Sequence, residues 1–276
     1  KNSSEELARK CRPPTLYGIS GQELAKHTIR GFVRSRKTPG AILLHGPWGN
    51  GKTTLARIIA RTVNCQHLTK DGNPCGVCRS CKAMDGEPKH PDYLEINASE
   101  SRTIEDARAL LRRVQYKPQI GNRLVVVLDE VHEMTPNALE ALLKTLEEPA
   151  AGRYLWLISA EPARLPATIR SRCQTHAMEW PTEEESLVWL QQQVPAATPE
   201  AARMWLKAAG GRPSDALAWA GLELTTHQWA QLPQALAHGD GSTMGSWPAA
   251  RQLEVLQKLC HDLLAQAAGA APRFFE

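Results

Sequence analysis

The chain has 276 residues, 33 Lys and Arg against 29 Asp and Glu, and a formal charge of +4, a mild excess that permits contact with nucleic acid but also suits many soluble enzymes. Its length exceeds the usual single-domain size, so two or more domains with a substantial core are expected. No run of about 18 apolar residues occurs and residues 1–10 are polar and charged, which argues against a membrane span or a secretory signal and makes the cytoplasm the default location.

In chain order, residues 22–36 read as a helix entered from Gly21. Ala41 to His45 is a short apolar run bounded by Pro39-Gly40 and Gly46, which suits a buried strand. Gly46-Pro47-Trp48-Gly49-Asn50-Gly51-Lys52-Thr53, followed by Thr54, fits GxxxxGK[ST] in full and lies between that strand and a helix predicted over 53–63. Glycines there let backbone N–H groups turn toward phosphates, and the helix N-terminus adds partial positive charge. Lys52 is expected to reach the β- and γ-phosphates of ATP, and Thr53 to hold Mg²⁺ through its hydroxyl.

The next segment is too dense in Gly, Pro and polar residues for a regular element to be expected. It holds four of the seven cysteines: Cys65, Cys75, Cys78 and Cys81. In a reducing compartment, two CxxC steps sharing Cys78 point to a tetrahedral Zn²⁺ site that clamps a loop without a core of its own; unligated thiols are the bland alternative. His67 and His90 flank the cluster and are read as surface residues, not ligands. The isolated Cys11, Cys173 and Cys260 are read as packing residues.

A second strand is predicted over 93–96, an amphipathic helix over 104–115, and an almost wholly apolar strand over 124–128, of the kind buried on both faces. Asp129 and Glu130 follow at its carboxyl end. Asp129 there can join the metal's shell and Glu130 can polarise an attacking water, although acidic pairs also merely end strands. Thr135-Pro136 opens a helix through Glu148, and Tyr154 to Ser159 is another apolar strand. Strands alternating with helices argue an α/β parallel sheet flanked by helices. Ser171-Arg172-Cys173 lies in a Pro- and Arg-rich segment, where an Arg taken alone is a solvated charge. Beyond Trp180-Pro181 the strand pattern stops, and helices are predicted near 183–193, 199–209, 214–222 and 250–268. Residues 237–248 have linker composition.

From about Leu7 to Pro181 these residues resemble the ATPase subunits of the bacterial DNA polymerase III clamp loader, above all gamma/tau. The matching blocks are LARKCRP (7–13), GQE (21–23), GPWGNGKTT (46–54), PCGVCRSC (74–81), VQYKP (114–118), LDEVH (128–132), LLKTLEEP (142–149) and SRC (171–173). The resemblance implies an AAA+ P-loop nucleotide-binding domain (1–180) with an inserted zinc module (65–81), a small helical lid (181–236) and a partial helical collar (237–276). It implies ATP, Mg²⁺ and Zn²⁺ as cofactors. The implied partners are other clamp-loader subunits in a hetero-oligomer, a sliding clamp and primer-template DNA, without a membrane.

By the same resemblance Lys52, Thr53, Asp129 and Glu130 match the phosphate, magnesium and catalytic positions. Ser159 matches the sensor whose hydroxyl meets the γ-phosphate or the attacking water. Arg172 matches an arginine finger acting on ATP held by a neighbouring subunit. Arg12 and Pro13 match the segment near the adenine. Arg102, Arg112, Arg113 and Lys117 lie on or beside the helix that approaches DNA in the family, or form an ordinary solvated face.

Two departures bear on role. The lid of the family's motor subunits carries an Arg immediately before Asp-Ala, where Gly211-Arg212-Pro213-Ser214-Asp215-Ala216 has Ser214. The tail, residues 256–275, resembles the delta-prime collar more than that of gamma/tau and is shorter than family collars. The leading expectation is an ATP-hydrolysing subunit. The alternative is a mainly structural, delta-prime-like subunit that offers Arg172 with little turnover of its own. A branch-migration motor is disfavoured by the cysteine module and SRC.

Overall fold

A computed structural model describes residues 13–35, 37–86, 90–222 and 224–275. Arg12 and Cys11 lie outside the described residues. The chain divides into two compact units, one ending at Trp180 and one beginning at Pro181.

The first unit is built on five strands: β1 (Ala41–His45), β2 (Tyr93–Asn97), β3 (Leu124–Asp129), β4 (Arg153–Ser159) and β5 (Gln174–Ala177). They pair in parallel in the order β2-β3-β4-β1-β5. The inner strands are apolar on consecutive residues because both faces are covered, and the period-2 alternation decides which face each side chain joins. Ile42, Leu44, Val125, Val127, Trp156 and Ile158 pack with α1 (Glu23–Ser35) and α2 (Lys52–Asn64). Leu43, Val126, Leu128, Leu155 and Leu157 pack on the other face with α4 (Ile104–Val114) and α5 (Pro136–Glu147). The helix starts are set locally: Thr103 and Asp106 form a capping box for α4, and Thr135 caps α5 with Pro136 in its first turn.

The first unit also holds elements that the sequence pattern does not predict. The cysteine segment, expected without regular structure, contains the short helix α3 (Arg79–Asp85), started by Cys78, whose Sγ accepts the N–H of Cys81. β5 was not predicted: its Gln-Thr-His-Ala composition is polar because it is an edge strand with little buried side chain. It follows a one-turn helix, α6 (Ala167–Arg170).

The second unit is helical: α7 (Glu183–Gln193), α8 (Pro199–Ala208), α9 (Pro213–Ala220), α10 (Thr226–Ala237) and α11 (Ala249–Ala267). The sequence reading lacks α10, which carries Pro233 in its interior and is secured by a Thr225–Gln228 capping box. Residues 237–248, expected as a linker, send Met244 and Trp247 into one core with Trp205, Trp219, Trp229, Val255 and Phe275. The last two helices therefore share a core. Buried Asp262 accepts the backbone N–H groups of Arg273, Phe274 and Phe275 at 2.9, 2.7 and 2.8 Å, which pins the segment that stacks Phe275 on Trp229.

Candidate active site

In a parallel α/β sheet the ligand crevice lies outside the carboxyl ends of the strands. Register brings four such ends together: His45 is level with Ser159, Leu128 with Leu157, and Asn97 with Asp129. Met178 N donates to His45 O at 2.7 Å and Ala98 N to Asp129 O at 2.8 Å, so the strand ends remain tied just beyond the ladder.

The loop from Gly46 to Gly51 leaves β1 and enters α2. Gly46 has φ +144°, and a Cβ there would lie 2.0 Å from Met178 O, so only glycine lets the loop pass the β5 end. Asn50 closes the same contact by donating from Nδ2 to Met178 O at 2.6 Å. Gly51 (φ +90°) turns the chain into the helix, and Lys52 and Thr53 are its first residues. Lys52 is buried, its Nζ donating to Gly46 O at 2.8 Å and Pro47 O at 2.7 Å, with Asn50 Oδ1 at 3.4 Å. Burial lowers the Lys52 pKa, and the charges of Glu130 and Asp129 oppose that shift. His45 is also shifted down, by burial and then by the Lys52 charge.

Thr53 Oγ1 donates to Asp129 Oδ2 at 2.6 Å, a contact across 76 positions that joins the two sequence motifs at one point. Asp129 Oδ1 accepts the N–H of Glu130 at 3.0 Å. Glu130 has φ 51° and ψ 43°, a left-handed conformation that costs a non-glycine residue about 1–2 kcal/mol. The strained turn directs its carboxylate back over β4, where Oε2 lies 3.4 Å from the N–H of Ala160. Ser159 is fully buried at the end of β4, and its Oγ accepts the N–H of Glu161 at 3.1 Å. A hydroxyl and a carboxylate oxygen at one point are suited to a hard divalent cation, and the lysine beside them to phosphate oxygens.

Other residues from the sequence reading lie elsewhere. Pro13 lines a cleft with Arg57, Ile58 and Arg61, more than one turn beyond Lys52 along α2. Arg172 follows α6 on the surface, its Nε donating to Glu147 Oε1 at 2.7 Å and a terminal nitrogen to Thr168 O at 2.8 Å. Arg102 is held by Ser99 O and Glu133, whereas Arg112, Arg113 and Lys117 are exposed. In the second unit Arg212 precedes α9 and is bound to Asp215 at 2.8 Å and Ala209 O at 3.1 Å, with Ser214 exposed beside it.

The four thiols form a separate site. The sulfurs of Cys65, Cys75, Cys78 and Cys81 lie within 4.8 Å of one another. Tetrahedral Zn–S bonds of about 2.3 Å require S···S distances of about 3.8 Å, so the set fits zinc with about 1 Å of contraction at most. Backbone N–H groups of Cys75, Cys78 and Cys81 donate to Cys65, Cys75 and Cys78 Sγ at 3.3, 3.3 and 3.4 Å, orienting the donors as outer-shell bonds do. Hydrogen bonds from the Cys78 and Val77 backbone bring the Cys75 thiol down to about 6, while burial pushes Cys81 up to about 12.

His67 is exposed, as expected. His90 is not a surface residue: it is buried, its Nδ1 accepting the N–H of Asp92 and its Nε2 meeting Ser80 Oγ, both at 3.0 Å. Asp92 in turn accepts three N–H groups, from Gln119, Ile120 and Gly121. Cys173 packs against the core, but Cys260 is exposed and has no packing role.

A five-stranded parallel sheet with a Gly-Lys-Thr loop after β1 and an acidic pair at the carboxyl end of β3 defines an AAA+ P-loop protein. The fold agrees with a solved RuvB mutant of Thermotoga maritima, at a TM-score of 0.55 and 19% identity over 83% of this chain and 68% of that chain. Residues 21–181, more than half of the chain, match the family described as DNA polymerase III, delta subunit, and the chain belongs to that family. It is 40% identical over 171 residues to DNA polymerase III subunit tau/gamma of Haemophilus influenzae, covering 62% of this chain and 25% of that protein. It is 39% identical over 176 residues to DNA polymerase III subunit delta' of Pseudomonas aeruginosa, covering 63% and 53%. The chain thus matches between a quarter and about half the length of these relatives. Among the described residues no helix is long and apolar enough to cross a membrane.

Proposed function

We propose that this chain is an ATP-hydrolysing subunit of a DNA polymerase III clamp loader. The observation that carries the reading is the Thr53–Asp129 contact with Lys52 and Glu130 beside it, since phosphoryl transfer is catalysed by positioning and by charge. Thr53 and Asp129 would hold Mg²⁺, which when bound offsets charge on the β- and γ-phosphate oxygens. Lys52 would exchange its two carbonyl partners for phosphate oxygens. Glu130 would accept a hydrogen bond from the attacking water and draw off its proton. Ser159 would donate to a γ-phosphate oxygen. Cys65, Cys75, Cys78 and Cys81 would hold a structural zinc. Other clamp-loader subunits, a sliding clamp and primed DNA are the proposed partners, with Arg112, Arg113 and Lys117 as candidate phosphate contacts.

Glu130→Gln tests this role directly. It keeps shape and removes the base, so ATP affinity should stay within about threefold while turnover falls by a hundredfold or more, within the range general-base catalysis supplies. Retained turnover removes Glu130 from its role.

A second reading, a structural delta-prime-like subunit, is favoured by Ser214 at the place of an arginine and by Arg212 being bound to Asp215. In either case Arg172 would leave Glu147 to reach ATP on a neighbour. Arg172→Ala should then lower turnover by about 10³-fold in an assembled complex, the lower end of the range for arginine fingers, and leave the isolated chain unchanged. An equal loss in the isolated chain contradicts action in trans.

A further inference from the structure

His132 is the group through which Glu130 and Ser159 meet. It lies in the 3-10 turn Val131–Glu133 directly after β3, and its ring is buried. Nδ1 is 3.1 Å from Ser159 Oγ and 3.4 Å from Glu130 Oε2. Nε2 faces Glu133 Oε1 at 3.7 Å and Glu161 Oε1 at 3.8 Å. Ser159 Oγ also accepts the N–H of Glu161 at 3.1 Å.

Counting donors and acceptors orders this cluster. A serine hydroxyl has two lone pairs and one hydrogen. With a hydrogen on Nδ1, Ser159 Oγ receives two hydrogen bonds, from Glu161 N–H and His132 Nδ1–H. Both lone pairs are then used, and the hydroxyl hydrogen must be given to a third partner. With hydrogen on Nε2 alone, the Ser159 hydroxyl would turn into the ring, and the bare Nδ1 lone pair would face the Glu130 carboxylate. Nε2 also faces carboxylates, but at 3.7 and 3.8 Å against 3.1 and 3.4 Å for the partners of Nδ1, so a hydrogen on Nδ1 makes the closer contacts and the Nδ1–H form is assigned from the network.

We infer that His132 is a positioning residue that, through Nδ1–H, keeps Ser159 as a hydrogen-bond donor toward a terminal phosphoryl oxygen and holds the Glu130 carboxylate against β4. The inference rests on the proposed ATPase reading and deepens it. It assigns the distinction between a nucleoside triphosphate and a diphosphate to the His132–Ser159 pair, because only the triphosphate has the oxygen that Ser159 addresses. A buried histidine that merely fills space would make no such distinction.

Asparagine and glutamine separate the two cases, since the Asn amide N–H lies where Nδ1–H does, whereas the Gln amide reaches the Nε2 position. The experiment measures binding of Mg-ADP and of a non-hydrolysable Mg-ATP analogue, together with kcat and KM for ATP, in wild type, His132→Asn, His132→Gln and His132→Ala. His132→Asn should keep the triphosphate-to-diphosphate affinity ratio within about threefold and kcat within about tenfold. His132→Gln and His132→Ala should lower kcat by about 10–100-fold, the usual effect of losing an outer-shell partner, and lower the affinity ratio by about tenfold. Diphosphate affinity and Tm should be alike for the Asn and Gln variants.

Equal behaviour of His132→Asn and His132→Gln, whether both intact or both impaired, overturns the inference even if His132→Ala fails to fold. A wild-type chain that binds neither nucleotide removes the ATPase reading and this inference with it. A wild type that binds both, with variants that match it, removes the inference alone.

Discussion

Lys52→Ala is expected to weaken ATP binding by at least about a hundredfold. The ammonium is the charged donor at the centre of the loop, and two hydrogen bonds from a charged group are together worth about 3 kcal/mol or more, which is about two decades in Kd. Its present bonds to Gly46 O and Pro47 O reduce the net gain, because they must be exchanged on binding. Burial has already stripped Lys52 of water, so less desolvation remains to oppose that exchange. The folded chain should tolerate the change, since the carbonyls left behind lie on a loop at the carboxyl end of the sheet, where neither Gly46 nor Pro47 is buried. Titration of a fluorescent ATP analogue checks this, and a loss of less than tenfold would mean that the loop does not grip phosphate through Lys52.

Removing zinc from the site proposed at the four cysteines is expected to be the largest structural perturbation. Cys65, Cys78 and Cys81, with Cys75 against them, are the whole apolar cluster of that segment, so four sulfurs stand where a loop would otherwise need a core. Structural zinc supplies folding free energy of roughly 10–16 kcal/mol in isolated peptides, only part of which is needed here because α3 is also tied to the main unit. Those ties are the Arg61–Asp85 pair and the Ser80–His90 contact. The purified chain should carry one zinc, and Cys78→Ser should lose it. The chelated protein should be cut by protease within residues 65–86 and should melt several degrees lower, at about 2–4 °C per kcal/mol for a domain of this size. A metal-free protein with the same Tm and protease resistance would contradict a structural zinc site.

The residues most legible in the sequence were those whose geometry is local. The Gly46–Thr53 loop, the acidic pair at the end of β3 and the alternating strands and helices each declare themselves within a dozen positions. Pairing was not legible: that β4 lies between β1 and β3, and so sets Ser159 among the other site residues, depends on topology and not on composition. His132 was missed for the same reason, since its partner Ser159 is 27 positions away and the turn that buries it has no strong pattern.

Polar edges and polar anchors were misread by composition. β5 pairs through its backbone while its side chains stay mostly exposed, so Gln174 to Ala177 carries no strand signal. His90 looked like a surface residue because nothing nearby in sequence announces that Ser80 and the Asp92 N–H will satisfy its ring. The 237–248 stretch is rich in Gly and polar residues, yet Met244 and Trp247 anchor it in the core. One large apolar side chain every few residues is enough to fix such a segment.

The most direct test of the central claim is ATP turnover by this chain, alone and mixed with clamp-loader subunits, clamp and primed DNA. ATP is expected to bind, and turnover to rise when clamp and DNA are added. ATP bound without turnover in every mixture would contradict the motor reading and leave the chain as a structural subunit.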